Sequence, residues 1–341
     1  MVTMRDVARV AQVSATTVSH VINKTRKVDP ETERAVLEAI EATGYLSDGI
    51  GRSLRTGTTQ TIGLAMSAIS NPYFGTVVHA IERSISRAGY SLLLADTHDD
   101  PVRERRAVRD LLSHRVDAMV IAPSGEADSV LDALVQRRIP VVLIDRIPTR
   151  ERPGVDAIGV VNEEPTARLV DHLAQIGHSR IATITSDPML ETTIERLSGY
   201  WNGIERNGLT RDEDLVQVGV RGSEETTDDA VATLLGLPEP PTAIVMGNNQ
   251  VTIGTMAALQ HHHMEAPRDM ALVAFDDFPW ANIFRPRLTA VSQPVDELGA
   301  GAVSMLLDRL ADRDLPPRHR RLEPTLKHRE SCGCTGLSTG T

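Results

Sequence analysis

The chain has 341 residues, too many for one ordinary hydrophobic core, so we expect two or three domains. Hydrophobic residues make up 41% and charged residues 24%, which excludes a disordered or fibrous chain and favours a globular one. No run of about 18 apolar residues occurs, and residues 1–9 lack the pattern of a signal peptide. We therefore expect a cytoplasmic protein with no membrane partner.

The net charge of −10 excludes a uniformly basic nucleic-acid binder, but the charge is unevenly distributed. Residues 1–60 contain eight Lys or Arg and seven Asp or Glu, which gives +1 and leaves −11 on the remainder. Because the acidic remainder repels DNA, any contact with nucleic acid would be confined to the N-terminal region.

Two short segments with helical periodicity, residues 4–11 and 15–22, are separated by Gln12-Val13-Ser14. Three residues suffice only for a tight turn, and Ser14 is the natural N-cap of the second helix. The pattern predicts two helices that pack through small apolar faces. These faces are formed by Val7, Ala8, Ala11, Val18, Val21 and Ile22.

The opposite face of the second helix is polar, and short polar side chains at a helix N-terminus suit the major groove of DNA. The residues predicted to contact DNA in this region are Thr3, Ser14, Ala15, Thr16, Thr17, Ser19, His20 and Asn23. Asp29-Pro30 predicts the start of a third helix, and Gly44 its end. Residues 1–46 are therefore predicted to form an all-α helix-turn-helix domain, although many helical hairpins share this pattern.

The motifs Asp6-Val7-Ala8, Thr17-Val18-Ser19 and Val21-Ile22-Asn23, followed by the run 45–57, resemble the LacI/GalR family of transcriptional regulators. The resemblance implies a hinge helix at residues 48–56, within a linker of residues 47–60. It also implies that Leu54 is an apolar wedge in the minor groove, with Arg52 and Arg55 near phosphates. Glycine disfavours helix by about 1 kcal/mol relative to alanine, so a segment containing Gly49 and Gly51 would order only on DNA. A plain flexible linker is the alternative.

From residue 61 onward, apolar strand-like runs alternate with helical stretches. The runs are residues 62–66, 91–95, 118–122, 141–144, 181–185, 243–246 and 271–275. Continuous apolar strands separated by helices predict parallel sheets that are covered by helices on both faces. The second part of the chain is therefore predicted to be an α/β sensor domain.

Ligands of such sheets bind beyond the carboxyl ends of the strands, so polar and aromatic residues after these runs are candidate site residues. A carboxylate, a guanidinium, an amide and an aromatic face together suit the hydroxyls and the apolar ring face of a sugar. Each residue alone could simply cap the next helix. The candidates are Asn71, Tyr73, Phe74, Asp145, Arg146, Arg196, Asn248, Asp276 and Trp280.

The segments Leu143-Ile144-Asp145-Arg146, 177–182, 195–200, Phe275-Asp276-Asp277 and 285–294 resemble sensor motifs of the same family, in the family's order. The resemblance implies a two-lobed, periplasmic-binding-protein-like effector domain over residues 61–330. Its N-lobe would comprise residues 61–158 and 292–323, its C-lobe residues 159–291 and 324–330, and residues 331–341 would form a flexible tail. By resemblance, Arg196, Asn248 and Asp276 bind effector hydroxyls, while Tyr73, Phe74 and Trp280 line the pocket.

Three positions depart from the family pattern. Val161-Asn162-Glu163 replaces the usual Asp-Asn and following glycine, and Asn249 stands where Asp is common. These two departures leave the identity of the effector open. His20 replaces a frequent arginine, which leaves the operator sequence open because imidazole and guanidinium read bases differently.

No metal, cofactor or catalytic residue is predicted. Cys332 and Cys334, one residue apart, are too close for an easy disulfide and too few for a zinc site, and they are interpreted as incidental. The run His261-His262-His263 is interpreted as a solvated helix end, because neighbouring helical positions face different directions. The chain contains no nucleophile elbow or Walker loop, so we expect no enzyme activity.

These observations predict a repressor of carbohydrate-utilisation genes that binds a near-palindromic DNA operator and a small-molecule effector, with a sugar as the preferred class. A purine or phosphorylated effector remains open, as does the choice between inducer and corepressor. We expect a homodimer, because no leucine heptad follows the sensor as in tetrameric relatives. The rival classes are an exported solute-binding protein, which would carry a signal peptide in place of residues 1–57, and a sugar-processing enzyme.

Overall fold

The computed structural model describes residues 2–23, 25–45, 57–67, 71–125, 128–148, 152–220 and 224–334. The chain divides into two compact units, Met1–Thr59 and Gln60–Thr341. The first is helical, and the second is an α/β unit with two sheets. This architecture confirms the predicted fold class.

The first unit contains the helices α1 (Met4–Val10), α2 (Ala15–Asn23) and α3 (Pro30–Thr43). Oγ of Ser14 accepts a hydrogen bond from the backbone N–H of Thr17 at 3.0 Å and so caps α2, as predicted. Asp29 caps α3, and Gly44 ends it in the left-handed region at φ 62°, which also agrees with the prediction. The helices enclose a small core of Val7, Ala8, Val18, Val21, Val36 and Ala39.

The first sheet of the second unit is entirely parallel. Its strands are β1 (Thr61–Met66), β2 (Ser91–Asp96), β3 (Ala118–Ile121), β4 (Val141–Asp145), β5 (Val155–Val160) and β11 (His319–Leu322). Their order across the sheet is β11-β5-β4-β3-β1-β2.

The second sheet has one antiparallel pair. Its strands are β6 (Ile181–Ile184), β7 (Val216–Gln217), β8 (Ala243–Met246), β9 (Ala271–Phe275), β10 (Thr289–Ser292) and β12 (Thr325–Lys327). The order is β12-β10-β9-β8-β6-β7, and only β12 runs antiparallel to its neighbour.

Helices cover both faces of each sheet, as the continuous apolar runs predicted. They are α4 (Pro72–Arg87), α5 (Pro101–Ser113), α6 (Asp128–Gln136), α7 (Glu163–Gln175), α8 (Glu191–Arg206), α9 (Glu224–Leu235), α10 (Asn249–His261) and α11 (Val295–Ala311). In the first sheet, α4 and α11 pack on one face and α5 and α6 on the other. In the second, α7 and α8 pack on one face and α9 and α10 on the other.

The chain passes from the first sheet to the second after β5, returns after β10 and passes over again after β11. The predicted lobe boundaries need small corrections, because β5 extends in the first sheet to Val160 and Ser292 still belongs to β10 in the second. The predicted flexible tail begins too early. Ser331 and Cys332 are fully buried, and Oγ of Ser331 donates to the carbonyl of Leu272 at 2.6 Å.

Candidate functional site

Two buried aspartates lie at the carboxyl ends of strands in the two sheets. Asp145 is the last residue of β4, and Asp276 directly follows β9. Their φ angles, 69° and 76°, lie in the left-handed region that residues other than glycine rarely adopt. Backbone strain of this kind clusters at binding sites, so both positions are candidates for function.

A chain of hydrogen bonds connects these two carboxyl groups. The hydroxyl of Tyr73 lies 2.9 Å from Oδ1 of Asp145 and 2.8 Å from Oε1 of Gln293. Nε2 of Gln293 in turn donates to Oδ1 of Asp276 at 2.5 Å. Gln293 lies where the chain crosses between the lobes, so these contacts connect the first lobe to the second.

Arg196, on α8, provides a fixed cation beside Asp276. Its Nη2 lies 3.7 Å from Oδ1 of Asp276, and its Nε donates to Oδ1 of Asn162 at 2.9 Å. Its Nη1 donates to the carbonyl of Gly247 at 2.6 Å. The guanidinium also lies 3.7 Å from the ring centroid of Phe275. These contacts hold Arg196 in one orientation, as ligand binding by a planar cation requires.

A second buried cation, Arg146, lies beside Asp145. Its Nη1 donates to Oδ1 of Asp99 at 2.6 Å and to the carbonyl of Pro123 at 2.8 Å. Its Nε is 3.8 Å from Oδ2 of Asp145 and has no hydrogen-bond partner among the described residues. The guanidinium lies 5.5 Å from the ring centroid of Phe74. Arg146 therefore offers a buried donor close to both Asp145 and an aromatic side chain.

Burial raises the pKa of Asp145 and of Asp276, and the nearby guanidinium groups only partly offset this effect. Burial, with the charge of Asp145, also raises the pKa of Tyr73 well above its ordinary value, so the phenol stays protonated. The site thus combines hydroxyl, amide, guanidinium and carboxyl groups, which together can donate to and accept from a ligand rich in hydroxyls.

Two predicted site residues, Asn71 and Asn248, cap helices in the structure, and a third, Trp280, lines a groove. Oδ1 of Asn71 accepts from the backbone N–H of Tyr73 at 3.0 Å and caps α4. Oδ1 of Asn248 accepts from the backbone N–H of Val251 at 2.9 Å and caps α10. Trp280 is 48% exposed and lines an open groove of about 1000 Å³, together with Pro72 and Gln293.

Sequence reasoning missed three residues of this region. Asn162 was noted only as a departure, yet it accepts from Arg196 and donates to Oε2 of Glu195 at 2.7 Å. Gln293 lies 220 positions from Tyr73, so no local spacing could indicate their contact. Asn249 is fully buried, and neither amide atom has a hydrogen-bond partner among the described residues. It is therefore a stronger ligand-binding candidate than Asn248.

Four of the DNA-binding candidates of the first unit, Ser14, Ala15, Thr16 and Thr17, lie at the start of α2. Thr16 is exposed, and the hydroxyls of Ser14 and Thr17 lie 2.9 Å apart. Thr3 is the N-cap residue of α1, and its backbone N–H and its hydroxyl both donate to Oδ2 of Asp6, at 2.9 Å and 2.7 Å. Nδ1 of His20 lies 2.8 Å from Oγ1 of Thr25, while Ala15 and Ser19 are partly buried. The side chain of Asn23 and the hinge candidates Arg52, Leu54 and Arg55 lie outside the described residues.

The histidine run lies at the end of α10. His261 and His262 both approach Oδ1 of Asp228, at 2.9 Å and 3.3 Å, because the helix ends at His261 and the next residue turns.

In the part of the chain that the structure describes, no helix is long and apolar enough to span a membrane.

Comparison with known proteins identifies both units. Residues 3–48 match the model of bacterial regulatory proteins of the lacI family, and residues 170–332 match a periplasmic binding protein-like domain. The HTH-type transcriptional repressor PurR of Vibrio atlanticus (strain LGP32) is 32% identical over 334 residues, which cover 97% of this chain and 98% of the relative.

Two solved structures extend the comparison over both units. The transcriptional regulator CelR in complex with cellobiose is 26% identical with a TM-score of 0.73, and the match covers 97% of this chain and 100% of that one. The Lac repressor bound to ONPG is 25% identical with a TM-score of 0.83, over 97% of this chain and 99% of that one.

A helix-turn-helix unit followed by a two-lobed α/β unit of the periplasmic-binding type defines a DNA-binding transcriptional regulator. The chain belongs to the lacI family of bacterial regulatory proteins and is a transcriptional repressor. The resemblance seen in the sequence motifs is thereby confirmed.

Proposed function

We propose that a sugar binds between the two lobes of this repressor and changes its affinity for operators of carbohydrate-utilisation genes. The observation that carries the proposal is the buried polar network of Tyr73, Asp145, Gln293, Asp276 and Arg196. Neighbouring sugar hydroxyls can donate to a carboxylate and accept from a guanidinium in one plane. The cellobiose complex of the similar regulator CelR supports the same class of ligand.

A flat purine would gain most from aromatic faces on which it could stack. Among the described residues, one face of Phe275 is already covered by Arg196 at 3.7 Å, and Tyr73 and Phe74 are tilted by 54° to each other. The contact with Arg196 limits the stacking of a flat ligand on Phe275. Purines and sugar phosphates form the alternative class of effector, and a ligand screen that contains all three kinds of compound tests them together with sugars.

We further propose that the repressor binds a near-palindromic operator as a homodimer. A single unit with few base-reading groups discriminates poorly, whereas two units contact two half-sites. In this scheme Leu54 is the wedge of the hinge, and effector binding closes the lobes, displaces the hinge segments and alters operator affinity. Leu54→Ala should abolish specific operator binding without unfolding the protein, and light scattering should show a dimer.

The test begins with a thermal-shift screen of the full chain against sugars, sugar phosphates and purines, since a ligand that binds only the native state raises the melting temperature. Hits are measured by calorimetry with Arg196→Ala, which should abolish binding. The matched control is Arg211→Ala, because Arg211 is also stacked on an aromatic ring, that of Trp201, but is exposed.

Operator affinity is then measured by fluorescence anisotropy with and without each hit. An operator affinity that stays constant at saturating concentrations of every bound ligand would refute the induction scheme. If a purine binds and no sugar does, the effector is a purine and not a sugar, and the proposed pocket between the lobes is retained. Conversion of a bound sugar to product would support an enzyme instead.

A further inference from the structure

Two cysteines and two histidines converge at one point of the second lobe. His328 directly follows β12, and Nε2 of this residue lies 2.9 Å from Sγ of Cys334 and 3.5 Å from Sγ of Cys332. The two sulfurs are 3.2 Å apart, and Nε2 of His172, on α7, lies 3.2 Å from Nε2 of His328. All four donor atoms lie within 4.8 Å of one another.

This arrangement has the dimensions of a tetrahedral metal site. Zinc binds sulfur at about 2.3 Å and imidazole nitrogen at about 2.0–2.1 Å, so neighbouring donors in a tetrahedron are separated by roughly 3.3–3.8 Å. The four distances above are 2.9–3.5 Å, at or just below the short end of this range, so a small outward movement of the donors would admit the ion. A disulfide between Cys332 and Cys334 would instead need the sulfurs at about 2.05 Å, which two cysteines separated by one residue reach only with strain.

The surrounding residues support donors in this orientation. Gly333 has φ 79°, a left-handed conformation that lets the chain turn between the two cysteines. Oγ1 of the buried Thr289 donates to Sγ of Cys332 at 3.4 Å, an interaction that stabilises a thiolate.

We propose that His172, His328, Cys332 and Cys334 form a structural Zn²⁺ site. Two thiolates and two imidazoles suit zinc better than magnesium or calcium, which prefer oxygen ligands. Four protein ligands close the coordination shell, which is typical of structural rather than catalytic zinc. The site joins helix α7 to the segment that follows β12, a connection between residues 156 positions apart. In the sequence the two cysteines were too few for a zinc site. The fold brings His172 and His328 next to them, which gives four ligands.

The test uses the full chain, purified under reducing conditions. Elemental analysis should find about one Zn²⁺ per chain, and after chelation Co²⁺ should produce the thiolate charge-transfer and tetrahedral ligand-field bands. Cys334→Ser is the main variant, because Cys334 is only partly buried. It should lose the metal and the charge-transfer band. His261→Ala is the matched control, because His261 is exposed and belongs to the other candidate cluster among the described residues, that of Asp228, His261 and His262.

Chelation should also lower the melting temperature of the wild type and of His261→Ala, but not that of Cys334→Ser. A reduced wild-type protein that binds neither Zn²⁺ nor Co²⁺ would overturn the proposal, and this result does not depend on the folding of any variant. The proposal would also be overturned if His261→Ala lost the metal while Cys334→Ser retained it. It would be overturned as well if the intact mass of the protein purified under reducing conditions showed a disulfide between Cys332 and Cys334.

Discussion

The hydroxyl of Tyr73 lies 2.9 Å from Oδ1 of Asp145, a residue 72 positions later in the chain. On its other side, Oε1 of Gln293 lies 2.8 Å away. A phenol has one proton and cannot donate fully to two acceptors. The hydroxyl of Tyr73 therefore shares its single proton between the carboxylate of Asp145 and the amide oxygen of Gln293, and it is the common partner of both buried oxygens.

Replacing Tyr73 with Phe tests this relationship. The variant leaves the buried oxygens of Asp145 and Gln293 without their shared partner, which costs about 1–3 kcal/mol. We expect the free energy of unfolding in urea to fall by that amount, and effector affinity, measured by calorimetry, to fall at least about tenfold, or roughly 1.4 kcal/mol.

The control is Tyr200→Phe. Tyr200 is also buried, and its hydroxyl donates to the carbonyl of Ile181 at 2.8 Å, away from the polar network. We expect a similar loss of stability with unchanged effector affinity. Equal weakening of effector binding in both variants would show that Tyr73 acts only through general stability.

Replacing the buried aspartates Asp156 and Asp276 with asparagine, which removes their charge, should change the stability of the protein in opposite directions. Asp156, on β5, accepts hydrogen bonds from Arg309 at 2.8 Å and 2.9 Å and from Arg318, and these outweigh its burial and lower its pKa. Breaking a buried ion pair costs about 3–5 kcal/mol, so Asp156→Asn should lose stability at pH 7. The pKa of Asp276 is raised by burial, so Asp276→Asn should gain stability in the absence of effector while losing effector binding.

The pH dependence of urea unfolding separates the two cases. A lowered folded-state pKa gives stability above the unfolded value near 3.9 that is lost as the pH falls, so wild type and Asp156→Asn should converge below about pH 4. A raised folded-state pKa destabilises the folded state as the pH rises above about 3.9, so the advantage of Asp276→Asn should grow with pH. Shifts of the same sign in both variants would contradict this account.

Local patterns predicted much of the fold, because caps, turns and apolar periodicity depend on neighbours in sequence. Ser14, Asp29 and Gly44 all have the predicted roles. Five strands, β5, β7, β10, β11 and β12, were missed, and two of them, β5 and β11, contain charges that look unsuited to a sheet. Asp156 becomes acceptable in β5 because Arg309, on α11, and Arg318 donate to it from 153 and 162 positions later in the chain.

The candidate site shows the same limit. Asp145 and Asp276 could be predicted because both directly follow apolar runs in the sequence, residues 141–144 and 271–275. Gln293 could not, because its partners come from other segments of the chain. Asn248 and Asn249 show that a helix start does not reveal which of two adjacent amides caps the helix and which is buried.

Two hydroxyls at the start of α2 should separate stability from DNA contact. Ser14 caps the helix, so Ser14→Ala should lower the stability of the first unit by about 1 kcal/mol. Thr16 is exposed, so Thr16→Ala should change stability by less than about 0.5 kcal/mol. If Thr16 contacts the operator, the variant should nevertheless weaken binding in fluorescence anisotropy. Unchanged operator affinity would exclude Thr16 from the interface.

Two glycines on α8 allow it to pack against the backbone of α7. A Cβ at Gly199 would lie 2.1 Å from the carbonyl oxygen of Glu163, and one at Gly203 would lie 2.6 Å from Cβ of Val170. Gly199→Ala must therefore separate the two helices, and we expect a loss of at least about 1–3 kcal/mol in urea unfolding. Arg196 lies one turn earlier on α8, so effector affinity should fall as well.

The matched change is Gly75→Ala on α4, where a Cβ would meet no atom within 4 Å. Alanine is favoured over glycine inside a helix, so this variant should gain about 0.5–1 kcal/mol in urea unfolding. If both variants lose stability, the loss comes from replacing a glycine within a helix and not from the close approach of α7 and α8. A stable Gly199→Ala protein would show that the two helices can separate without cost, and the orientation of Arg196 would then not depend on their packing.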